Sequence, residues 1–285
     1  MEFINQNLTS ISINHYRVVT GMHSSLLLSD LTLRVRSLIW WIIGVVLTVL
    51  LVDAFYPSIV GDPSLNSMLD QMPEALRPLL GPADLTSPVG YLASQLYLFF
   101  LPAIVLIYAI GRGSAAIAGE EEDHTLDLLM VQPVGRWSLY AQKAGAVVIG
   151  VIVLVGVSVL PTLTLGSSLQ IDIPAANLLA VTFQLAAMTV LFAMLAFALG
   201  AATGRRSIAI AIASAVAFVT YLIDGLGQTI DWLDAFRPLT PWFWFAPIDA
   251  LTDGWQSAVL AILIGASAAL LALGGLLFGR RNLRA

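Results

Sequence analysis

Six stretches of this sequence, 37–56, 91–110, 144–165, 176–198, 208–226 and 257–278, are apolar for about 20 residues each, the length that crosses a hydrocarbon core of about 30 Å as one helix. In lipid every backbone amide and carbonyl must be paired within the chain, so such stretches are restricted to helices. A water-soluble alternative fails on composition. Hydrophobic residues make up 58% and charged residues 11% of the 285 residues, and the mean hydropathy is +0.88. A soluble domain of this size has too few polar groups here to cover its exterior. The expected fold is an all-α integral membrane protein with six transmembrane helices.

The 13 basic residues assign an orientation. Arg17, Arg34, Arg36, Arg112, Arg136, Lys143, Arg205, Arg206, Arg280, Arg281 and Arg284 fall on one set of alternate segments, and only Arg77 and Arg237 on the other. Because basic residues stay on the cytoplasmic side, both termini are expected there. The opposite loops are acidic, with Asp62, Asp70, Glu74 and Asp84 in the first and Asp231, Asp234, Asp249 and Asp253 in the third. The division is 1–36 as a cytoplasmic N-terminal segment, 37–278 as the membrane domain and 279–285 as a cytoplasmic tail. Residues 1–21 lack the apolar centre of a secretion signal, and Met22 would make a natural start, so residues 1–21 are expected to be an upstream extension of little structural weight.

Several local features carry expectations. Ala209, Ala213 and Ala217, then Ala196, Gly200 and Gly204, then Gly275 and Gly279 recur four apart. Such faces let helix backbones approach in lipid, although alanine and glycine are also common throughout. The proline-rich loop at 57–90 permits only short helices, with Met72–Leu80 one candidate. Trp242, Phe243, Trp244 and Phe245 are consecutive and cannot share one helix face. Two readings stand for them: an aromatic belt at the headgroups, or a re-entrant cap before the sixth span.

Most chemistries are excluded. Cysteine is absent, His15, His23 and His124 lie outside the spans, and no H-E-x-x-H occurs. The phosphate loop G-x-x-x-x-G-K-[ST] is impossible, because the only lysine, Lys143, precedes Ala144. The chain has no ATP site of this kind and is not expected to be an enzyme. Acids within spans reduce to Asp53 and Asp224, read as lying toward the outer helix ends. That scarcity argues against a proton- or sodium-coupled carrier. The mid-span polar groups are mild: Ser94, Gln95, Tyr97, Thr182, Gln184, Thr189 and Thr220. Gln95, Gln184 and Thr220 are candidates for a substrate path, and the two glutamines serve equally well as interhelical glue.

The loop between the second and third spans is unusual for the cytoplasmic side. It gathers Glu120, Glu121, Glu122, Asp123 and Asp127, followed by Leu126, Leu129 and Met130 at helical spacing before Pro133. Pattern and charge predict a short amphipathic helix whose acids sit at its N-terminal, positive end. Anionic headgroups would repel it, which leaves a packed connector or a knob that docks on a cytoplasmic partner.

Ala118–Arg136 resembles the cytoplasmic coupling segment of the type-2 ATP-binding-cassette exporter permeases. The resemblance rests on Glu120, Glu121, Glu122, Thr125, Leu126, Asp127, Leu128, Leu129, Pro133 and Arg136. His124 stands where that family commonly has glycine. Leu31–Trp41 with Phe55–Pro57, Asp84–Tyr91 and Phe245–Leu251 are also similar to the family. The resemblance implies a permease subunit in the plasma (cell inner) membrane, dimeric with a second copy or a related chain. It implies docking of Glu120–Leu129 and Arg136 on a separate nucleotide-binding ATPase, which would bind the ATP and magnesium. It further implies an interfacial connecting helix near Leu26–Arg36 and an outer gate at 228–254. The alternatives are a non-transporting scaffold or insertase-like subunit, and a secondary carrier or channel.

Overall fold

The computed structural model describes residues 35–60, 87–122 and 136–280. Within them are helices and turns and no strand. Six helices are long and apolar enough to cross a membrane: α1 (Val35–Ile59), α2 (Pro88–Glu122), α3 (Arg136–Leu169), α4 (Ala175–Thr203), α5 (Arg206–Gly227) and α6 (Ser257–Arg280). Every expected span is present, and α2 and α3 run well past the apolar stretches that announced them. The chain divides into two compact units. Of the first, Met1–Ile43, the described part is the opening of α1; the second, Gly44–Ala285, holds the rest. The expected connecting helix at Leu26–Arg36 lies outside the described residues except for Val35 and Arg36, which already belong to α1. Met72–Leu80 also lies outside them.

The centre of the second unit is α4, which packs against α2, α3, α5 and α6. In its most apolar stretch 67% is buried, against 22% in α5 and in α6. A helix that is apolar all round is either a lipid-facing span or a buried core, and its neighbours decide which. The ends of α4 are sharply set. Pro174 precedes its first turn, where proline needs no amide partner. Gly204 closes it with φ 64°, its amide donating to the Gly200 carbonyl, a stop that suits glycine because Cβ is disfavoured there.

Small residues set the helix spacing. A Cβ on Gly113 of α2 would collide with the Ala193 carbonyl of α4, so these backbones touch. Two turns on along α4, Gly200 sits with its Cβ position 3.1 Å from the Ser114 carbonyl. Ala209, Ala213 and Ala217 are the buried face of α5, as their spacing suggested. On α6, Gly274 and Gly275 form a notch for Tyr140 and Trp137 of α3, and the Tyr140 hydroxyl donates to the Leu271 carbonyl at 2.8 Å.

Helix α2 is not a regular α-helix. Leu92–Phe100 and Ala115–Gly119 are wound as wider π-turns. Pro102 supplies a cause for the first: it offers no amide to the turn before it and its ring crowds the carbonyl four residues back. Widening the preceding turns relieves that conflict, with the Leu101 amide bonding back to Leu96.

Candidate functional site: the joined ends of three helices

Glu120, Glu121 and Glu122 are helical and continue the α2 run without a break, while residues 125–130, where the amphipathic face was expected, lie outside the described residues. Three consecutive carboxylates repel one another, and partners from neighbouring elements offset that cost. Glu120 is buried and forms an ion pair with Lys143 of α3. Glu122 reaches the start of α5, where its Oε1 accepts from the Arg206 amide at 2.8 Å. That amide is one of the orphan donors at the positive end of α5, a favourable place for a carboxylate. Electrostatics that α2 cannot satisfy internally therefore tie its end to α3 and α5.

Packing reinforces the junction. Ala115, and the side chain of Arg206 at 3.9 Å, face Gly119, and the Ala115–Gly119 turns pack against α3, α4 and α5. Arg136, the first residue of α3, is exposed. Of the proposed coupling residues, Glu120, Glu121, Glu122 and Arg136 are thus placed. His124, Thr125, Leu126, Asp127, Leu128 and Leu129 lie outside the described residues. The sequence reading missed the role of Lys143. Its signal was in plain view, since a lone lysine beside an apolar span requires a counter-charge.

The substrate-path candidates sit on three different helices, α2, α4 and α5. Gln184 is fully buried on α4, and its Nε2 donates to Gln256 Oε1 at 3.3 Å. Gln95 is half-buried in the widened part of α2. The Thr220 hydroxyl donates to the Val216 carbonyl of its own helix at 2.6 Å. No hydrogen bond among the described residues joins the three.

At the opposite end of the bundle, short elements link α5 to α6: single turns at Asp231–Asp234 and Arg237–Leu239, then helices Pro241–Trp244 and Pro247–Asp253. Arg237 organises the first half. Its Nε donates to Asp224 at 3.3 Å and its Nη1 to Asp234 at 3.1 Å, and its guanidinium lies 5.3 Å from the Phe243 ring centre. The aromatic quartet divides between two environments. Trp242 and Phe245 are buried, and the Trp242 indole donates to the Ala217 carbonyl at 3.1 Å. Phe243 is exposed and Trp244 half-buried. Asn177 at the head of α4 donates to the Leu251 and Thr252 carbonyls at 2.8 and 2.9 Å. Gly254, at φ 83°, makes the turn beneath it. These contacts build a folded cap from residues that α4 and α5 hold in place.

Asp53 lies toward the Ile59 end of α1, as expected, but it is fully buried there, and its Oδ2 accepts from the Thr162 hydroxyl of α3 at 2.8 Å.

Comparison with curated proteins gave no match. The family described as ABC-2 family transporter protein matches residues 25–283, a range that takes in all six long helices, the joined ends of α2, α3 and α5, and the cap before α6. On that match, which spans nearly the whole sequence, the chain belongs to the ABC-2 family of transporter proteins and is an ABC-type permease.

Proposed function

We propose that this permease is the membrane subunit of an exporter driven by a separate ATPase, and that the segment following Glu122 receives the ATPase's motion. The carrying observation is the junction: Glu120 paired with Lys143 of α3, and Glu122 bonded to the first amide of α5. A push on residues 123–135 is then delivered to three helices at once, because charge pairing and helix capping couple their ends. Rigid elements with bonded ends pass displacement onward, as rocking of membrane halves requires. The distribution of basic residues supports placing this junction and both termini in the cytoplasm of a cell whose plasma membrane holds the protein. The cap between α5 and α6 then faces outward as the gate. The ATPase binds ATP and magnesium, and a second permease copy or related chain completes the path.

Co-purification tests this reading. A tagged chain should bring down an ATPase whose activity is sensitive to the permease. Replacing Glu121 together with Leu126 or Leu129 by alanine should abolish that association while membrane insertion persists. A double variant that binds and stimulates the ATPase normally would overturn the assignment. Transport that persists in vesicles stripped of the ATPase would favour a secondary carrier instead.

A further inference from the structure

Two acids are buried among the described residues, Asp53 and Glu120. Glu120 carries a built-in cation in Lys143, as the half-buried Asp224 does in Arg237. Asp53 is the exception. It is more buried than either, with no exposed surface at all, and among the described residues no lysine, arginine or histidine pairs with it. Its Oδ2 is engaged by Thr162, whereas Oδ1 is buried and accepts no hydrogen bond. An uncompensated carboxylate within a membrane-spanning helix is costly, and where the other buried acid, Glu120, is neutralised, this one is left open.

The surroundings are rich in oxygen and aromatic faces. Tyr91 of α2 packs beside this part of α1. The Tyr91 hydroxyl donates to the Val52 carbonyl at 2.9 Å, next to Asp53, and its ring lies 5.1 Å from that of Tyr56. Helices α1, α2 and α3 thus each contribute an oxygen around Asp53, about 9 Å by helical rise from the Ile59 end of α1.

We infer that Asp53, with the hydroxyl of Thr162 and the tyrosines around it, is a binding site for one singly charged cation. The charge follows from the single carboxylate. A calcium or magnesium site would draw on several carboxylates, and no cluster of three acids or histidines occurs among the described residues. Oxygen acceptors suit sodium or potassium; the same acceptors with the Tyr56 and Tyr91 rings suit an ammonium group. The shared chemistry is one positive charge that the carboxylate Oδ1 receives. This inference needs only the chain itself and not the ATPase coupling proposed above.

The test is thermal unfolding of the purified full-length chain in nanodiscs at constant ionic strength, with tetrabutylammonium chloride as the bulky balancing salt. Sodium, potassium and methylammonium chlorides are each titrated in its place. A saturable rise in the midpoint with at least one of them is expected, and the effective cation identifies metal ion or ammonium as the source. Asp53→Asn keeps the shape and the Thr162 partner and should remove the rise; Thr162→Val should keep it but weaken the apparent affinity roughly three- to tenfold, the size of a lost hydrogen-bonding group. Should Asp53→Asn fail to fold, the Thr162→Val titration decides alone, and an unchanged affinity there overturns the assignment. So does a wild-type midpoint indifferent to all three cations, which would mean that the carboxyl is carried as a neutral acid. A rise that survives in Asp53→Asn is equally fatal.

Discussion

Two glycines of α2, two residues apart, should respond oppositely to the same substitution. At Gly111 an added Cβ meets nothing within 4 Å, so Gly111→Ala gains helix propensity of about 0.5–1 kcal/mol and loses nothing. At Gly113 the methyl would fall inside the van der Waals radius of the Ala193 carbonyl oxygen and 3.2 Å from the Phe197 amide. Both obstacles are backbone, so no rotamer change relieves them, and α2 must move away from α4. Overpacking of this kind costs about 1–3 kcal/mol when side chains can yield, and rigid backbone puts Gly113→Ala at the upper end. Set against the propensity gain, the net loss is about 1–2 kcal/mol, and the two variants should differ by about 2–3 kcal/mol. At roughly 2–4 °C per kcal/mol for a large domain, their unfolding midpoints in detergent should be separated by about 4–12 °C, with wild type between. Two alanine variants of equal midpoint would refute the close approach of α2 to α4, and so would a Gly113→Ala above wild type.

Three further outcomes follow from the contacts. Lys143→Met leaves the Glu120 carboxylate without its counter-charge and should lower stability by about 2–4 kcal/mol. Glu120→Gln should cost less, because the lysine can extend toward water, and combining the two should recover part of the loss in a double-variant cycle read by thermal unfolding. Glu122→Ala removes the carboxylate from the first amide of α5. It should speed amide exchange at Arg206–Ile210 by roughly two- to tenfold, as for a lost cap of about 0.5–1.4 kcal/mol, with the middle of α5 unaffected. Trp242→Phe keeps an aromatic ring beside Tyr221, 5.0 Å away in wild type, but deletes the indole donor to Ala217. About 1 kcal/mol should be lost on thermal unfolding, and Phe243→Leu, on the exposed side of the same helix, should change little.

How much of this could be read beforehand depended on the range of the interaction. The spans were legible because hydrocarbon imposes a length and a composition on each helix independently of the others, and the small-residue face of α5 was legible because periodicity is local. The extensions of α2 and α3 were not, since Arg112 to Glu122 and Arg136 to Lys143 mix charged with small and aromatic residues and gain stability from partners on other helices. The acidic triplet shows the limit well. Its charge pattern fits the start of a helix; what makes it tolerable within the long α2 run is Lys143, 23 residues from Glu120, and the Arg206 amide, 84 residues from Glu122.

Sequence by itself determined that this chain spans a membrane six times and carries no phosphate loop of its own, because both conclusions depend on composition and on residues adjacent in the chain. Only the tertiary structure decided which of the apolar helices is the buried centre, that Glu120 and Glu122 of α2 bond it to α3 and α5, and that Asp53 is buried among the helices. Burial and counter-charge are properties of neighbours, and in an all-apolar sequence the neighbours are set by packing that hydropathy does not encode.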